Sequence, residues 1–289
     1  MEESEQVIGI IGGSGLYEME GLSQVESVAL ETPFGDPSDR FVTGVLDGVR
    51  MVFLPRHGRG HRLLPSEVNY RANIYGMKKL GVTRLVSVSA VGSMREEIAP
   101  GDIVIPDQFI DRTNATRKST FFGNGIVGHV QFADPVCGEL SGILEDAARR
   151  SGARVHRGGI YLCMEGPAFS TRAESRLYRT FGVSVIGMTN IPEAKLAREA
   201  EMCYGVIALA TDYDCWYESH DDVSVDAILT ILRQNVTMAK SIIRNATDQM
   251  GDARKCPCAD ALRYAIITDG TVIPEKTRRD LQVIAGKYI

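Results

Sequence analysis

Short aliphatic runs alternate with segments of helical period along most of this chain, and that alternation limits the folds open to it. Val7 to Ile11 is a run of strand length that leads into glycines, and Val206 to Ala210 is another that leads into two acidic residues. Strands that alternate with helices build a sheet covered by helices on its faces. Because the composition does not break anywhere, we predict a single α/β domain over residues 1–289, with a mixed central β-sheet flanked by helices. Its core would be about 7–245, and 246–289 a C-terminal extension.

Local patterns predict several individual elements. Asp47–Gly48 between two aliphatic runs is typical of a two-residue hairpin turn. Ser66 is a plausible N-cap and predicts a helix from there to about Leu80. Apolar residues at spacings of three and four predict a long amphipathic helix from Val225 onward. Residues 112–135 show no clear period and predict a long loop, and loops of this length are usually functional or contact a partner subunit.

The chain of 289 residues is 44% hydrophobic and 24% charged, with a formal net charge of −5 and no long block of lysine and arginine. This balance gives no reason to expect a nucleic-acid partner. The first residues are acidic, unlike a secretory leader, and no uninterrupted apolar run approaches the roughly 18 residues of a membrane span. We therefore predict a cytoplasmic protein with no nucleic-acid or membrane partner.

Six cysteines are present. Cys137, Cys163, Cys203 and Cys215 each stand alone in or beside apolar segments and are interpreted as small buried side chains. Cys256–Cys258 is a Cys-x-Cys pair that could bind a metal with two further ligands or take part in thiol exchange. No second paired motif is present to complete a zinc site, so we predict a reduced pair and no metal.

Groups suited to an anion follow several predicted strands. Ser14 lies in a glycine-rich turn, where backbone N–H groups can meet an anion. A dinucleotide-binding fingerprint fails there, because its third glycine would fall on Glu18. Arg56 and His57 belong to a cluster of cations after a later strand: an arginine fork matches phosphate oxygens, and a histidine adds a donor that gains charge easily. A solvated basic loop is the alternative. The candidate anion-binding groups are Ser14, Arg56, His57, Ser89 and Thr189.

Asp212 and Asp214 follow a buried strand at alternate positions, so their side chains point the same way. Buried strands seldom end in acids, because an unpaired buried carboxylate is costly; a helix cap and a solvated acid are the alternative. Phe169 and Ser170 lie at another strand end and suit an aromatic heterocycle. A phosphate site, an aromatic wall and paired acids predict phosphorolysis of a nucleoside, in which an acid of raised pKa shares a proton with the leaving base. This chemistry needs no cofactor, since inorganic phosphate is a co-substrate.

Long motifs over about residues 7–245 resemble the 5′-methylthioadenosine phosphorylases, in the trimeric branch of the purine nucleoside phosphorylases. The resemblance implies a purine nucleoside phosphorylase-like fold, and phosphorolysis of 5′-methylthioadenosine to adenine and 5-methylthioribose 1-phosphate in purine and methionine salvage. The motifs are Val7–Leu16, Thr32–Ser38, Arg56–Gly58, Val68–Tyr70, Pro100–Val104, Asp107–Thr113, Glu165–Pro167 and Thr211–Trp216.

The same resemblance implies a role for each matched residue. Asp212 is the expected catalytic partner of the base N7, and Asp214 the partner of its amino group. The phosphate-binding residues would be Ser14, Arg56, His57, Ser89, Ala90 and Thr189, and the residues at the base and ribose would be Phe169, Ser170, Met188, Asp212 and Asp214. The 5′ group would meet His129 of a neighbouring subunit and an apolar wall of Val225, Ile228 and Leu229. A homotrimer or a dimer of trimers is implied, with active sites at the subunit interfaces.

Three alternatives remain open. An ionised Asp214 favours the amino group of adenine over a 6-oxo group, but a methylthioinosine or 6-oxopurine nucleoside phosphorylase is the nearest rival. A broader adenosine phosphorylase is another, because apolar pockets discriminate weakly. From a different class, a nucleotide-binding Rossmann-like protein is disfavoured by the missing glycine. The chain departs from some relatives at Ser14 and Ser89, where they carry threonine, and at Asn190. Its Cys-x-Cys tail resembles that of members in which it joins disulfide chemistry.

Overall fold

The computed structural model describes residues 6–13, 15–217, 225–251 and 253–289, with the backbone alone at 225–230, 232 and 233. Within these ranges eleven strands form one sheet with parallel and antiparallel pairs. The strands are β1 Val7–Gly12, β2 Ser23–Val28, β3 Phe41–Leu46, β4 Val49–Pro55, β5 Val82–Ser93, β6 Ile103–Ile105, β7 Gln108–Arg112, β8 Val155–Arg157, β9 Ile160–Met164, β10 Val183–Gly187 and β11 Cys203–Tyr213.

Six α-helices flank the sheet in the same ranges. They are α1 Tyr70–Lys79, α2 Gly138–Arg150, α3 Arg172–Thr180, α4 Asn190–Glu199, α5 Val225–Met250 and α6 Glu275–Ala285, with short 3-10 helices at Pro257–Asp260 and Gly270–Val272. The predicted fold class, an α/β domain with a mixed sheet flanked by helices, is confirmed. None of the helices in the described part of the chain combines the length and apolar character needed to cross a membrane.

The strand β5 is the hub of the sheet. It pairs in parallel with β1 and with β11, and its last residues pair antiparallel with β10. The strand β4 lies in parallel on the far side of β1. Ligands of open α/β sheets bind beyond the carboxyl ends of the parallel strands. The ends of β1, β4, β5 and β11 therefore mark the edge at which a site is expected.

Helices cover both faces of this sheet. On one face α1, α4 and α6 pack on a core that includes Ile74, Leu196 and Leu281. On the other face α2 and α5 pack on a core that includes Leu140 and Ile243. Each of these side chains is almost fully buried, which stabilises the fold by about 1.5–3 kcal/mol per residue. The strand ends are thus held on a rigid support.

The start of α1 differs from the prediction at Ser66, which is wrong. The helix begins at Tyr70, and its N-cap is Asn69, whose side-chain oxygen accepts from Ala72 N at 3.2 Å. The Tyr70 hydroxyl donates to Pro65 O at 3.0 Å. The chain before the helix is therefore held as a turn, and asparagine rather than serine provides the cap.

Other local predictions hold, and some strands have no sequence signal. The turn at Asp47–Gly48 is confirmed, since both residues have positive φ, 48° and 85°, as a type I′ hairpin requires. The helix predicted from Val225 is confirmed as α5. The strand β2 is not predicted by any pattern, because its side chains are exposed and show no apolar alternation. The short strands β7 and β8 likewise lack a pattern of their own.

Four cysteines meet in space. The Sγ atoms of Cys137, Cys203, Cys256 and Cys258 all lie within 4.8 Å of one another. The interpretation as buried side chains is confirmed for Cys137, Cys163 and Cys203 and wrong for Cys215, which is exposed. The inference that nothing completes the Cys-x-Cys pair is also wrong. Residues far apart in sequence supply the two additional thiols, which no local spacing could reveal.

Candidate active site

Asp212 and Asp214 lie against the same glycine of the neighbouring strand. Asp212 pairs with Gly92 of β5, beyond a register shift in β11. A Cβ atom placed on Gly92 would lie 3.4 Å from Asp212 Oδ1 and 3.5 Å from Asp214 Cβ. The structure thus brings the two acids together as expected, and glycine keeps the adjoining surface of β5 free of a side chain.

The Asp212 carboxyl is a candidate proton donor. Burial raises its pKa above the usual value, and the negative charge of Asp214 raises it further. The Thr211 hydroxyl donates to Asp212 Oδ2 at 2.6 Å, and this hydrogen bond lowers the pKa of Asp212. A carboxyl whose pKa is raised in this way keeps its proton closer to neutral pH and can give it to a leaving group.

Ser170 lies beside the acids, whereas Phe169 points into solvent. Cys215 Sγ donates to Ser170 O at 3.4 Å and lies 3.9 Å from Asp214 Oδ2. This places Ser170 at the predicted base site. The Phe169 ring is 84% exposed. Its role as an aromatic wall for the base stays a prediction.

Met188 follows β10, and its backbone oxygen is held by Arg117, a residue that the sequence patterns do not single out. Gly166, with φ of 72°, lies so close that a Cβ there would be 2.5 Å from Met188 Sδ. Arg117 Nη1 donates to Met188 O at 2.7 Å, and its Nη2 donates to Glu165 O at 2.6 Å. Arg117 comes from the predicted loop 112–135, so this loop fastens the ends of β9 and β10. The absence of any period around Arg117 explains why it is missed.

Ser89 and Thr189 bring two buried hydroxyls to the anion side of the site. They are 7% and 8% exposed, and both lie near the phenol of Tyr161, whose pKa burial raises to about 12. Within the described ranges, Ser89 Oγ has no hydrogen-bond partner. A buried hydroxyl without a partner costs about 1–3 kcal/mol, so this orphan group favours a ligand at the predicted site. Ala90, the next residue, is exposed.

Arg56 is buried rather than part of an exposed basic loop. Its side chain is 2% exposed, and Nε donates to Glu193 Oε2 at 2.9 Å. Its Nη2 donates to Ser87 Oγ at 2.6 Å and its Nη1 to Val88 O at 3.0 Å. The alternative of a solvated basic loop is therefore excluded for Arg56. The charge that it offers to an anion is shared with Glu193.

Glu193, like Arg117, lies near the predicted site but has no clear signal in the sequence. It is 1% exposed and accepts from Tyr204 OH at 2.9 Å as well as from Arg56. An acid in the first turn of a helix usually complements the helix dipole, which conceals any further role. Since a buried carboxylate requires a partner, its contact with Arg56 accounts for its position.

His57 carries a neutral imidazole. Burial and the charge of the neighbouring Arg56 together lower its pKa to about 4. Nδ1 lies 2.9 Å from Leu63 O, and this contact assigns the ring proton to Nδ1. The expectation that His57 gains charge easily is therefore wrong. Its Nε2 is an acceptor, suited to the hydroxyl of a protonated phosphate.

Four of the remaining predicted residues have side chains outside the described part of the chain, and His129 is described by itself. Ser14 lies outside the described residues, and so do the side chains of Val225, Ile228 and Leu229. His129 is exposed, and its backbone N–H donates to Ala265 O at 2.8 Å. The C-terminal extension thus supports the loop that carries His129. The contact of His129 with a neighbouring subunit stays a prediction.

Comparison with known proteins gives concordant matches. A family model described as the phosphorylase superfamily matches residues 7–247. The S-methyl-5′-thioadenosine phosphorylase of Geobacter sulfurreducens is 78% identical over 285 residues, which are 99% of this chain and 100% of that protein. The protein of the same name from Koribacter versatilis is 57% identical, over 97% of this chain and 96% of its own length.

Solved structures resemble this one over similar lengths. A methylthioadenosine phosphorylase from an antarctic soil metagenomic library is 48% identical, with a TM-score of 0.93 over 97% of this chain and 99% of that chain. A mutant adenosine/methylthioadenosine phosphorylase from Schistosoma mansoni, in complex with methylthioadenosine, is 37% identical, with a TM-score of 0.82 over 90% and 96%. The chain therefore belongs to the phosphorylase superfamily, alongside the S-methyl-5′-thioadenosine phosphorylases that it matches over nearly its whole length.

Proposed function

We propose that this protein catalyses the phosphorolysis of 5′-methylthioadenosine, yielding adenine and 5-methylthioribose 1-phosphate. The observation that carries the proposal is that one strand, β5, borders both halves of the site. The buried Ser89 hydroxyl lies on it, and Gly92, against which Asp212 and Asp214 lie, follows three residues later. At about 3.3 Å per residue these points are about 10 Å apart, which leaves room for a ribose between a phosphate and a purine.

In this reaction a phosphate oxygen bonds to C1′ of the ribose while the bond from C1′ to N9 of adenine breaks. The electron pair of the broken bond moves into the base, so N7 must gain a proton for adenine to leave as a neutral molecule. Asp212 supplies that proton, because its raised pKa keeps the carboxyl protonated nearer to neutral pH. A positioned acid contributes typically about 10²–10⁴ in rate. No step of the proposal uses a metal or cofactor.

Phosphate binds at the other half of the site. Ser89 Oγ and the Thr189 hydroxyl donate to its oxygens, with Ser14 and Ala90 as further predicted contacts. Arg56 supplies positive potential, reduced by Glu193. Neutral His57 accepts a hydrogen bond at Nε2 from the hydroxyl of hydrogenphosphate, which keeps its proton because the pKa of His57 is lowered. The bound dianion then stabilises the positive charge that develops on the ribose.

The base half favours adenine. An acceptor oxygen of Asp214 takes a hydrogen bond from an exocyclic amino group but repels a 6-oxo oxygen, a difference of about 1–3 kcal/mol. The Schistosoma mansoni relative, whose structures include complexes with adenine and with methylthioadenosine, is named for both adenosine and methylthioadenosine. Adenosine is therefore the second candidate substrate, and methylthioinosine and the 6-oxopurine nucleosides rank below it.

A homotrimer in the cytoplasm completes the proposal. The exposure of Phe169, at 84%, and of His129 supports this assembly, in which His129 would close the 5′ pocket of a neighbouring subunit together with Val225, Ile228 and Leu229. A dimer of trimers satisfies the same requirement. None of the six cysteines, all of which lie in the described ranges, forms a disulfide, as is usual for proteins of the reducing cytoplasm.

The test is base release from methylthioadenosine, adenosine, methylthioinosine and inosine, each with and without phosphate, followed by chromatography of the products. We expect phosphate-dependent release of adenine, fastest from methylthioadenosine, with methylthioribose 1-phosphate as the second product. Release without phosphate would make the enzyme a hydrolase. Preference for the inosine compounds would contradict the role given to Asp214. Analytical ultracentrifugation of the same preparation would measure the oligomeric state.

A further inference from the structure

Four of the six cysteines converge at the end of the sheet away from the paired acids. The Sγ atoms of Cys137, Cys203, Cys256 and Cys258 all lie within 4.8 Å of one another, and those of Cys203 and Cys256 are 3.3 Å apart. In a tetrahedral site with metal–sulfur bonds of about 2.3 Å, neighbouring sulfurs lie about 3.8 Å apart. The cluster thus has the number and the spacing of sulfur atoms that a tetrathiolate site requires.

These thiols come from three separate parts of the chain. Cys137 is the N-cap of α2, and Cys203 is the first residue of β11. Cys256 and Cys258 flank Pro257 where the first 3-10 helix begins, and that turn brings both sulfurs to one side. Packing alone does not require such a meeting, since any small apolar side chain would fill the same space.

One backbone contact in the cluster favours a thiolate at Cys137. Leu140 N donates to Cys137 Sγ at 3.5 Å in the first turn of α2, where the helix dipole stabilises negative charge. The guanidinium of Arg254, two residues before Cys256, donates to the backbone oxygen of Glu201 at 2.9 Å, just before β11. This contact ties the segment that carries Cys256 and Cys258 to the start of β11.

We propose that Cys137, Cys203, Cys256 and Cys258 form a site for one divalent transition-metal ion, with zinc as the best fit. Four sulfur ligands suit zinc, and a set that leaves no coordination position for substrate is typical of structural rather than catalytic zinc. Three of the cysteines are buried, and the partly exposed Cys256 offers the path of entry. Binding turns four thiols into thiolates and releases their protons to solvent, with no change of oxidation state.

The consequence is a metal that fastens the C-terminal extension to the core. Cys256 and Cys258 belong to the extension, whereas Cys137 and Cys203 belong to the domain. Asp212 lies nine residues along β11 from Cys203, about 30 Å away. The metal therefore acts on stability and not on the chemistry of the site, and the inference does not depend on the proposed function.

The first test is the metal content of the whole protein, purified without chelator from cells grown with added zinc salt. Elemental analysis by mass spectrometry is expected to find about one metal ion per chain, either zinc alone or zinc and iron counted together. Refolding of the chelated protein with Co²⁺ under argon is expected to give the intense absorption of a tetrahedral cobalt–thiolate complex. Less than about a tenth of an ion per chain, with no cobalt spectrum, would overturn the proposal.

Cys203→Ala and Cys163→Ala are a matched pair of variants. Both cysteines are 0% exposed and lie on strands, but Cys203 alone belongs to the cluster. Cys203→Ala is expected to lose the metal, and Cys163→Ala to retain it. Because Cys203 is part of the core, Cys256→Ser, at a partly exposed position, repeats the test without opening a buried cavity. Equal metal content in the cluster variants and Cys163→Ala would refute the site.

A count of thiols separates the metal site from disulfide chemistry. The protein is unfolded under argon with a chelator and without reductant, and its thiols are titrated. All six cysteines are expected to react, with the release of about one metal ion. Reaction of two thiols without release of metal would mean that the cluster forms two disulfides instead, which contradicts the proposal. Addition of a chelator should lower the melting temperature of the wild type and of Cys163→Ala. It should leave the melting temperatures of Cys203→Ala and Cys256→Ser unchanged.

Discussion

The guanidinium of Arg56 and the carboxylate of Glu193 form an ion pair shut off from solvent, with Nε 2.9 Å from Oε2 and side chains 2% and 1% exposed. The pair joins the end of β4 to α4, the helix that begins directly after Thr189. Removal of one member of such a pair leaves the charge of the other buried and unpaired, which costs more than the lost attraction. The pair thus ties the stability of the fold to the predicted phosphate site.

Glu193→Ala should lower the free energy of unfolding by about 3–5 kcal/mol. The control is Asp280→Asn in the ion pair with Lys276, whose side chains are 32% and 78% exposed, because exposed pairs contribute less than about 1 kcal/mol. Denaturant unfolding of both variants at one protein concentration measures the two changes. A loss at Glu193 as small as that at Asp280 would show that the buried pair is unimportant for stability.

The chemistry at the strand ends could be predicted from the sequence, because an apolar run and the polar residues that follow it are neighbours in the chain. The alternate acids Asp212 and Asp214 and the Ser89 hydroxyl have their signal within a few residues. The ion pair of Arg56 joins residues 137 positions apart, and no periodicity reports on such a contact. The same holds for the four-cysteine cluster. Burial, which makes His57 neutral, also follows from packing that only the folded chain provides.

Ser89→Ala should leave the stability unchanged or raise it, since the lost hydroxyl is buried without a partner among the described residues. It should raise the KM for phosphate about 3–10-fold, as expected for one lost hydrogen bond of about 0.5–1.5 kcal/mol. Ser141 on α2 is the matched control, because its hydroxyl is also buried and without a partner in those ranges. Ser141→Ala should affect stability similarly and leave the KM unchanged. An unchanged KM in Ser89→Ala would remove Ser89 from the phosphate site.

Asp214→Asn should shift the preference from adenine toward hypoxanthine as the base. An amide can donate to a 6-oxo oxygen that a carboxylate repels, and the contact is worth about 1–3 kcal/mol. The ratio of kcat/KM for methylthioadenosine to that for methylthioinosine should therefore fall at least about 10-fold. The ratio is independent of enzyme concentration, and the KM for phosphate serves as the control. A ratio equal to that of the wild type would place Asp214 away from position 6 of the purine.

Glu199 should make stability fall as pH rises. Burial raises its pKa from the usual 4.5 to about 7, although Phe121 N and the Thr120 hydroxyl each donate to its carboxylate at 2.7 Å. Between these values the folded state holds a proton that the unfolded state has lost. Its contribution is therefore complete below pH 4.5 and is lost through about pH 7, a change of about 3 kcal/mol.

Glu199→Gln removes this titration and keeps an acceptor oxygen. The variant should match the wild type below pH 4.5 and exceed it in free energy of unfolding above pH 7, by up to about 3 kcal/mol. Glu275→Gln is the control, because Glu275 is 85% exposed on α6. Denaturant curves across this pH range give the comparison. Parallel curves for wild type and Glu199→Gln would contradict the raised pKa.

Asp212→Asn should lower kcat for methylthioadenosine by about 10²–10⁴ while the KM for phosphate changes little. The amide keeps the shape of the side chain but has no acidic proton for N7. In the wild type, kcat/KM should fall as pH rises through the raised pKa of Asp212, because the proton to be donated is then lost. Asp214→Asn should move that fall to lower pH, since the charge of Asp214 helps to raise the pKa of Asp212. Near-normal turnover in Asp212→Asn, or a pH profile identical in wild type and Asp214→Asn, would assign the proton transfer to another group.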